Sequence, residues 1–335
     1  MKRYEIITGD CKSVLPTLLG GSVQTVITSP PYFGLRDYGT ASWVGGDPEC
    51  VHEVGAVLGN ETSCALCGAV RKDLQIGLEQ TPDAYVANLV EVFRETWRVL
   101  RDDGTLWLNL GDSYATNPGN GRGGETRVGG GIPHRSGMDK SKLPGLKPKD
   151  LIGIPWRVAL ALQADGWYLR SDIIWSKRNP MPESVTDRPT KSHEYIFLLT
   201  KSPIYYYDAE AIKEPSTGRE KFGNHGNKAR THKDQNEKGR QDLTLTTTRN
   251  KRTVWDTSTR PYKNAHFATF PPALIEPCVL AGSRAGDVVL DPFSGAGTTG
   301  LVALRHGRQY LGIELNPRYV ELTESRYQSE GVAWL

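Results

Sequence analysis

Cysteine is scarce in this chain, five in 335 residues. Three of the five fall within residues 50–67. So small and uneven a set excludes the disulfide framework of a secreted scaffold and points to a reducing compartment. Long apolar runs are missing as well. Nothing approaches the roughly 18–20 consecutive apolar residues of a membrane helix. The opening "MKRYEIITGD" lacks the apolar stretch and cleavage site of a secretory leader. A cytoplasmic protein with no membrane partner is the expectation. A strong net charge is absent too, 41 Lys and Arg standing against 38 Asp and Glu for a formal +3. With 38% hydrophobic and 24% charged residues, the composition is that of an ordinary globular chain, long enough for one large or two modest domains.

The charge that is present is unevenly spread. Residues 212–263 hold thirteen Lys and Arg against six acids, a local excess of +7 that leaves −4 for the remainder. Such asymmetry fits a polyanion touching one region, or a solvated basic loop. Residues 115–150 carry nine glycines and seven Lys and Arg against three acids. Both stretches read as long loops. Elsewhere strands and helices alternate. "VQTVIT" is a short buried-strand pattern. "TPDAYVANLVEVFRETWRVL" starts a helix with Thr81 as N-cap and Pro82 in its first turn, and "RDDG" is expected to end it. "TLWLNLGD", "YLRSDIIW" and "HEYIFLLTK" follow as strands, with "IPWRVALALQADGW" a helix between the first two. "FPPALIEPCVLAG" reads as a helix, then "DVVLDPFSGAGTTGLVALRHG" and "QYLGIELNPRYVELTESRY" as strand followed by helix. The pattern predicts an α/β fold with a mainly parallel sheet covered on both faces.

Two stretches carry chemistry. "TSPPY" (28–32) follows an apolar strand with two prolines, which form no strand hydrogen bonds and are not asked for by the sheet. In "DPFSGAGTTG" (291–300), Gly295 and Gly297 permit a tight turn and close approach to a bound molecule. A Walker lysine is missing there, so a phosphate-cradling P-loop is excluded. Glu314 ends the next strand, placed to accept hydrogen bonds from a ribose diol. Loop and acid together imply a nucleoside-bearing cofactor, with NAD and S-adenosylmethionine (AdoMet) both fitting. A rigid turn is the plain structural reading of "SPPY".

The two stretches together resemble the DNA amino-methyltransferases. "DPFSGAGTTG" with "GIELN" is similar to their AdoMet-binding region, and "TSPPYFGLRDYG" to their catalytic (D/N/S)-P-P-(Y/F/W) motif. The catalytic block comes first, the order of the β group of N4/N6 methylases. The resemblance implies a class I AdoMet-dependent sheet, doubly wound, mostly parallel and of permuted order, with an antiparallel hairpin near one edge at about 169–175 and 193–199. Residues 1–39 and 76–211 would form its catalytic half and 264–335 its AdoMet half. The target-recognition segment would lie at 212–263, and the Gly-rich loop 115–150 within the catalytic half. Ser29, Pro30, Pro31 and Tyr32 would hold a flipped base, Ser29 Oγ and the Pro30 carbonyl accepting from its exocyclic amine while Tyr32 stacks on it. Asp291, Phe293, Ser294, Gly295, Gly297, Thr298, Glu314 and Asn316 would surround AdoMet. Asp10 with Cys11 would lie near its adenine and Phe270 with Pro271 over its methionine end. Asp10 also reads as a helix N-cap, and Phe270 as core. Serine at the first motif position leans towards N4 of cytosine, where Asp or Asn leans towards N6 of adenine.

Between these stretches lie Cys50, His52, Cys64 and Cys67, two pairs of ligands that suit a closed tetrahedral zinc site in an insertion at 40–75. A redox Cys-x-x-Cys pair is the rival, and it leaves Cys50 and His52 without a role. In the basic segment, Lys228, Arg230, Arg249, Lys251 and Arg252 are candidates to contact double-stranded DNA. Related enzymes often dimerise, and a homodimer is expected here, in a bacterial or phage-encoded setting. The residues leave open a cognate restriction enzyme, and three rival functions. These are AdoMet-dependent methylation of RNA or protein, a non-enzymatic zinc DNA-binding protein, and a dehydrogenase.

Overall fold

The structure, a computed structural model, describes residues 3–58, 61–115, 140, 143–216, 248–259 and 270–332. The chain begins with strand β1 (Tyr4–Thr8), the short helix α1 (Cys11–Val14) and β2 (Val23–Thr28). An insertion follows with β3 (Ser42–Val44), β4 (Val54–Leu58), β5 (Glu61–Cys64) and β6 (Val70–Lys72). Next come α2 (Pro82–Val99), β7 (Leu100–Leu110), α3 (Ile154–Ala164), β8 (Tyr168–Ser176) and β9 (His193–Thr200). Short strands β10 (Glu214–Pro215), β11 (Thr248–Arg249) and β12 (Val254–Asp256) lead to α4 (Pro272–Gly282). The chain closes with β13 (Val288–Asp291), α5 (Thr298–Arg305), β14 (Gln309–Glu314) and α6 (Pro317–Ser329).

Eight strands form one sheet in the order β1-β14-β13-β2-β7-β9-β8-β12. Every neighbouring pair is parallel except the two that involve β9. Alternate side chains of a strand face opposite sides of its sheet, and both sides here are apolar. On one side Val26, Leu106, Leu108, Leu290 and Ile313 pack with Tyr85, Leu89 and Phe93 of α2 and with Val158 and Leu162 of α3. On the other, Ile27, Trp107, Val289 and Tyr310 pack with Leu274 and Val279 of α4, Leu301 and Leu304 of α5, and Tyr327 of α6. Burying such a side chain fully is worth about 1.5–3 kcal/mol, so two covered faces hold the sheet far more firmly than its turns do. Helix α2 forms as its sequence predicts. Thr81 Oγ1 accepts from the Ala84 N–H at 3.1 Å, and Tyr85, Leu89, Val92, Phe93, Thr96 and Val99 are buried.

Helix-covered strands wind in opposite senses from the middle of this sheet. From β2 the chain crosses one face through α2 to β7; from adjacent β13 it crosses the other through α5 to β14. The carboxyl ends of β2 and β13 therefore flank a switch point, where the loops diverge and leave a crevice. "TSPPY" leaves β2 there and "DPFSGAGTTG" leaves β13.

Several sequence expectations need correction. Helix α2 ends at Val99, where "RDDG" is expected to end it, but "RDDG" itself is not a loop. It lies within β7, where the register jumps from Val23–Leu100 to Thr25–Thr105 so that the extra residues bulge. The hairpin of β8 and β9 is present and antiparallel, but β12 pairs outside β8 and forms the edge. Strand β1 and the four-stranded antiparallel sheet β3-β6-β5-β4 were not anticipated. Most of 115–150 and 212–263 lies outside the described residues. Among the described residues no helix is long and apolar enough to cross a membrane.

Candidate functional site

Strand β2 is buried at every position, and Ser29-Pro30-Pro31-Tyr32 continues from its carboxyl end. The motif is pinned from below, because Tyr85 of α2 donates its hydroxyl to the Pro31 carbonyl at 2.8 Å. Among the described residues no donor occupies the Pro30 carbonyl. Tyr32 stands against Gly111, where a Cβ would lie 2.5 Å from its ring, so only glycine allows the approach. The Tyr32 hydroxyl donates to Glu194 Oε2 at 2.6 Å and lies 3.0 Å from Asn109 Oδ1. Ser29 Oγ donates to the same phenolic oxygen at 3.4 Å. Burial, with the Glu194 charge next, pushes the Tyr32 pKa well above its ordinary value, so the ring stays a phenol. Glu194 and Asn109 were not singled out in the sequence. "HEYIFLLTK" announces a strand, and nothing local marks its glutamate.

The second half of the site is the turn between β13 and α5. Gly295 and Gly297 both take left-handed φ, +52° and +69°. Glu314, at the end of β14, accepts the Gly295 N–H at 2.7 Å on one oxygen and the Asn316 N–H at 2.9 Å on the other. Burial pushes its pKa up to about 7, against the pull of those two donors. Thr8 pairs with Glu314 across β1 and β14, which carries Asp10 to the same edge. Asp10 caps α1 through the Lys12 N–H at 3.3 Å, the alternative role its sequence offered.

Other loop positions are engaged by neighbours within the fold. Asp291 is buried and fully engaged, its carboxylate accepting from Thr28 Oγ1 at 2.6 Å, Thr299 Oγ1 at 2.8 Å and the Phe293 N–H at 3.0 Å. It therefore stitches the end of β2 to the glycine turn, and burial raises its pKa to about 6. Ser294 Oγ accepts from the Tyr310 hydroxyl, Thr298 Oγ1 from Arg326, and the Asn316 side chain caps α6. Cys11 lies in the core, where burial drives its pKa to about 12 and keeps the thiol protonated. Phe293 packs on the core of the α2 side. Phe270 packs half-buried on the α4 side beside the buried Pro271, which precedes α4. Beneath the glycine turn is a brace with no sequence signature. Thr323 Oγ1 donates to the Gly295 carbonyl, Arg326 to that of Ala296 and the Tyr327 hydroxyl to that of Gly297, at 3.0, 2.8 and 2.8 Å.

In the insertion, Cys50, His52, Cys64 and Cys67 converge, their ligand atoms all within 4.8 Å of one another. Cys50 Sγ is 3.9 Å from Cys64 Sγ, and Cys67 Sγ is 3.4 Å from His52 Nδ1. The Leu66 N–H donates to Cys64 Sγ at 3.4 Å, and the ring of Trp43 in β3 lies 5.0 Å from that of His52, tilted by 32°. The stem of the insertion is tied to the site, since Gln75 bonds both the Arg36 carbonyl and the Tyr38 N–H.

The basic segment is only partly described. Lys228 and Arg230 lie outside the described residues. Arg249 and Arg252 both pair with Glu214, at 2.9 and 2.6 Å, and the Lys251 ammonium lies 5.1 Å from the centre of the Trp255 ring. These three make intramolecular contacts, while the Arg252 side chain stays 68% exposed.

Known proteins resemble this chain in sequence and in fold. The family model described as DNA methylase matches residues 23–325. The type II methyltransferase M.Cfr9I of Citrobacter freundii is 46% identical over 326 residues, covering 97% of this chain and 88% of its own. M.SmaI of Serratia marcescens, another type II methyltransferase, is 43% identical over 336 residues, covering 97% and 91%. Among solved structures, a Thermus thermophilus protein in complex with S-adenosyl-L-methionine is 24% identical with a TM-score of 0.55, over 98% of this chain and 94% of that one. The cytosine-N4-specific PvuII DNA methyltransferase is 16% identical with a TM-score of 0.59, over 99% and 86%. At these identities the two structures speak for the fold alone.

Proposed function

The chain belongs to the AdoMet-dependent DNA amino-methyltransferases of the N4/N6 methylase family, and from that premise we propose that it methylates N4 of cytosine at a specific site in duplex DNA. The observation that carries this reading is the juxtaposition at the switch point. Ser29 and the unengaged Pro30 carbonyl follow directly on Thr28, which hydrogen-bonds Asp291 at the root of the cofactor turn.

The residues present fit AdoMet. Each Glu314 oxygen spends one lone pair on a backbone N–H and keeps another for a hydroxyl of the ribose diol. When bound, AdoMet supplies an electrophilic methyl group on a sulfonium. The rest falls to the chain. An exocyclic amine is a weak nucleophile because its lone pair is delocalised into the ring. Ser29 Oγ and the Pro30 carbonyl accept from its N–H groups and favour a more tetrahedral nitrogen, with the prolines holding the acceptors in advance. Tyr32 offers its face to the base, which has left the stack. Serine, not Asp or Asn, at the first motif position is what favours cytosine over the N6-adenine alternative. Nucleoside analysis of DNA from a host expressing the chain tests the base: N4-methylcytosine is expected, and N6-methyladenine in its place would reverse the choice.

Glu314 makes AdoMet binding pH-dependent. The diol donates, so it needs the ionised carboxylate, and with a pKa of about 7 that form is scarce at pH 6 and dominant at pH 8. Affinity is therefore expected to rise about tenfold from pH 6 to pH 8, and to lose that dependence in Glu314→Gln. Calorimetric titration at both pH values checks it.

The same reading places Zn2+ in the insertion. A tetrahedron with Zn–S of about 2.3 Å and Zn–N of about 2.0 Å has S···S and S···N edges of roughly 3.8 and 3.5 Å. These are close to the 3.9 Å of the Cys50–Cys64 pair and the 3.4 Å of the Cys67–His52 pair, in a set whose ligand atoms all lie within 4.8 Å of one another. The four ligands form a closed set, so the ion would be structural and steady the loop that leads out of the catalytic motif. One zinc per chain is expected by elemental analysis, lost in Cys64→Ser with a lowered melting temperature. Metal-free protein with unchanged melting would remove zinc from the reading. The basic segment as the target-recognition element, a homodimer and a cognate restriction enzyme complete the proposal.

A further inference from the structure

We propose that Glu194 is a positioning residue that fixes the direction of the hydrogen bond at Ser29 and so makes Ser29 an acceptor. The inference rests on the reading of Ser29 as the residue that receives the target amine. Strand β9 is antiparallel to its neighbours β7 and β8, with Leu110 opposite Tyr195 and Ser176 opposite His193. Its first residues therefore lie beside the carboxyl ends of the parallel strands, where the motif is. That reversal delivers a carboxylate to the back of the catalytic motif.

Glu194 is 13% exposed and is met there by donors alone. Tyr32 donates from its hydroxyl, Asn109 from Nδ2 at 3.4 Å, and Lys177 through its ammonium. The polarity of the chain follows from counting protons. A phenol has one, and the Tyr32 proton faces two acceptors, Glu194 Oε2 at 2.6 Å and Asn109 Oδ1 at 3.0 Å. The phenolic oxygen then has only lone pairs to offer Ser29, 3.4 Å away, and Ser29 must donate its own single proton to it. What remains on Ser29 Oγ is lone pairs. These suit the N–H of an exocyclic amine and repel a ring carbonyl at the same position, so a base with a keto group there is disfavoured. A catalytic hydrogen bond of this length in the ligand-free protein is expected to shorten when substrate is bound.

Glu194→Gln tests this because it keeps the shape and loses the one-way polarity. An amide with its oxygen on Lys177, which meets the other carboxylate oxygen, presents N–H to Tyr32 and to Asn109 Nδ2. The phenol then keeps only Asn109 Oδ1, at 3.0 Å, as an acceptor and can turn its proton to Ser29 instead. The expected result is a fall in kcat of about tenfold or more, with KM for DNA and AdoMet affinity within about twofold of the parent. In a Tyr32→Phe background, which the family motif tolerates, the same substitution is expected to change kcat less than about twofold, since no hydroxyl remains to be oriented. An equal loss in both backgrounds, or parental activity in Glu194→Gln, would overturn the inference. If Glu194→Gln fails to fold, by melting and AdoMet titration, the cycle is run with Glu194→Asp, for which the same coupling through Tyr32 is expected. Ser29→Ala is measured alongside. Parental activity there would refute the underlying reading of the site, whereas an inactive Ser29→Ala with an uncoupled Glu194 would refute the positioning role alone.

Discussion

Ser29→Ala is expected to lower kcat for methyl transfer to DNA by about 10²–10³, with AdoMet affinity unchanged within about twofold. The size is that of removing one preorganised polar contact from a reacting centre. Ser29 is half-buried, and its one described side-chain partner is the Tyr32 hydroxyl at 3.4 Å, so alanine removes an acceptor without opening the core. The cofactor turn is untouched, because Thr28, not Ser29, bonds Asp291. Ser29→Thr keeps the oxygen and is expected to recover part of the rate. Single-turnover kinetics with saturating AdoMet, beside a calorimetric titration, separates the two effects. A loss confined to AdoMet binding would move the role of Ser29 to the cofactor and leave the amine without its partner.

Gly297→Ala is expected to abolish measurable AdoMet binding and to destabilise the protein by about 2–5 kcal/mol. Two penalties add. The residue sits at φ +69°, ψ 26°, where a Cβ crowds its own backbone at a cost of roughly 1–2 kcal/mol. That Cβ would also lie 2.2 Å from Thr323 Cγ2 and 2.7 Å from the Tyr327 hydroxyl, both on fully buried residues of α6. Overpacking at such a site costs about 1–3 kcal/mol, since neither neighbour has free space to enter. The two neighbours are also the brace, donating to the Gly295 and Gly297 carbonyls, so displacing them deforms the turn that positions the Gly295 N–H on Glu314. Thr323→Ser in the same background removes the clashing methyl and keeps the hydroxyl, and is expected to restore part of the stability but not the share due to φ. Thermal melts and AdoMet titrations of the parent and the two variants check this; a Gly297→Ala protein that melts and binds like the parent would contradict the packing described.

What the sequence made legible is local. A strand running into glycines and then into a helix with Glu314 ahead, or a strand stopped by Ser-Pro-Pro-Tyr, is a contiguous arrangement, and its chemistry is written in adjacent residues. The interleaving of apolar strands and helices gave a sheet covered on both faces, and the family resemblance the hairpin of β8 and β9. What stayed hidden depends on residues distant in sequence. Tyr32 meets Glu194 across 162 positions and Thr28 meets Asp291 across 263, and neither glutamate nor threonine carries a mark of it. For the same reason Asp291, Ser294 and Thr298, which look like a ligand-facing row in "DPFSGAGTTG", prove to turn inwards and hold the loop together. Strand β1 and the strands of the insertion are three to five residues each, too short for periodicity to show. "RDDG" marked the end of α2 but not the start of β7, because its turn-forming residues make a bulge inside that strand, where β2 supplies the partner.

Incubating the protein with tritiated AdoMet and mixed-sequence duplex DNA, then digesting to nucleosides and locating the label, is the most direct trial of the central claim. Label in N4-methylcytosine, lost in Ser29→Ala, is the expected result. Protein that binds AdoMet yet leaves no label on any amine of the DNA would contradict it.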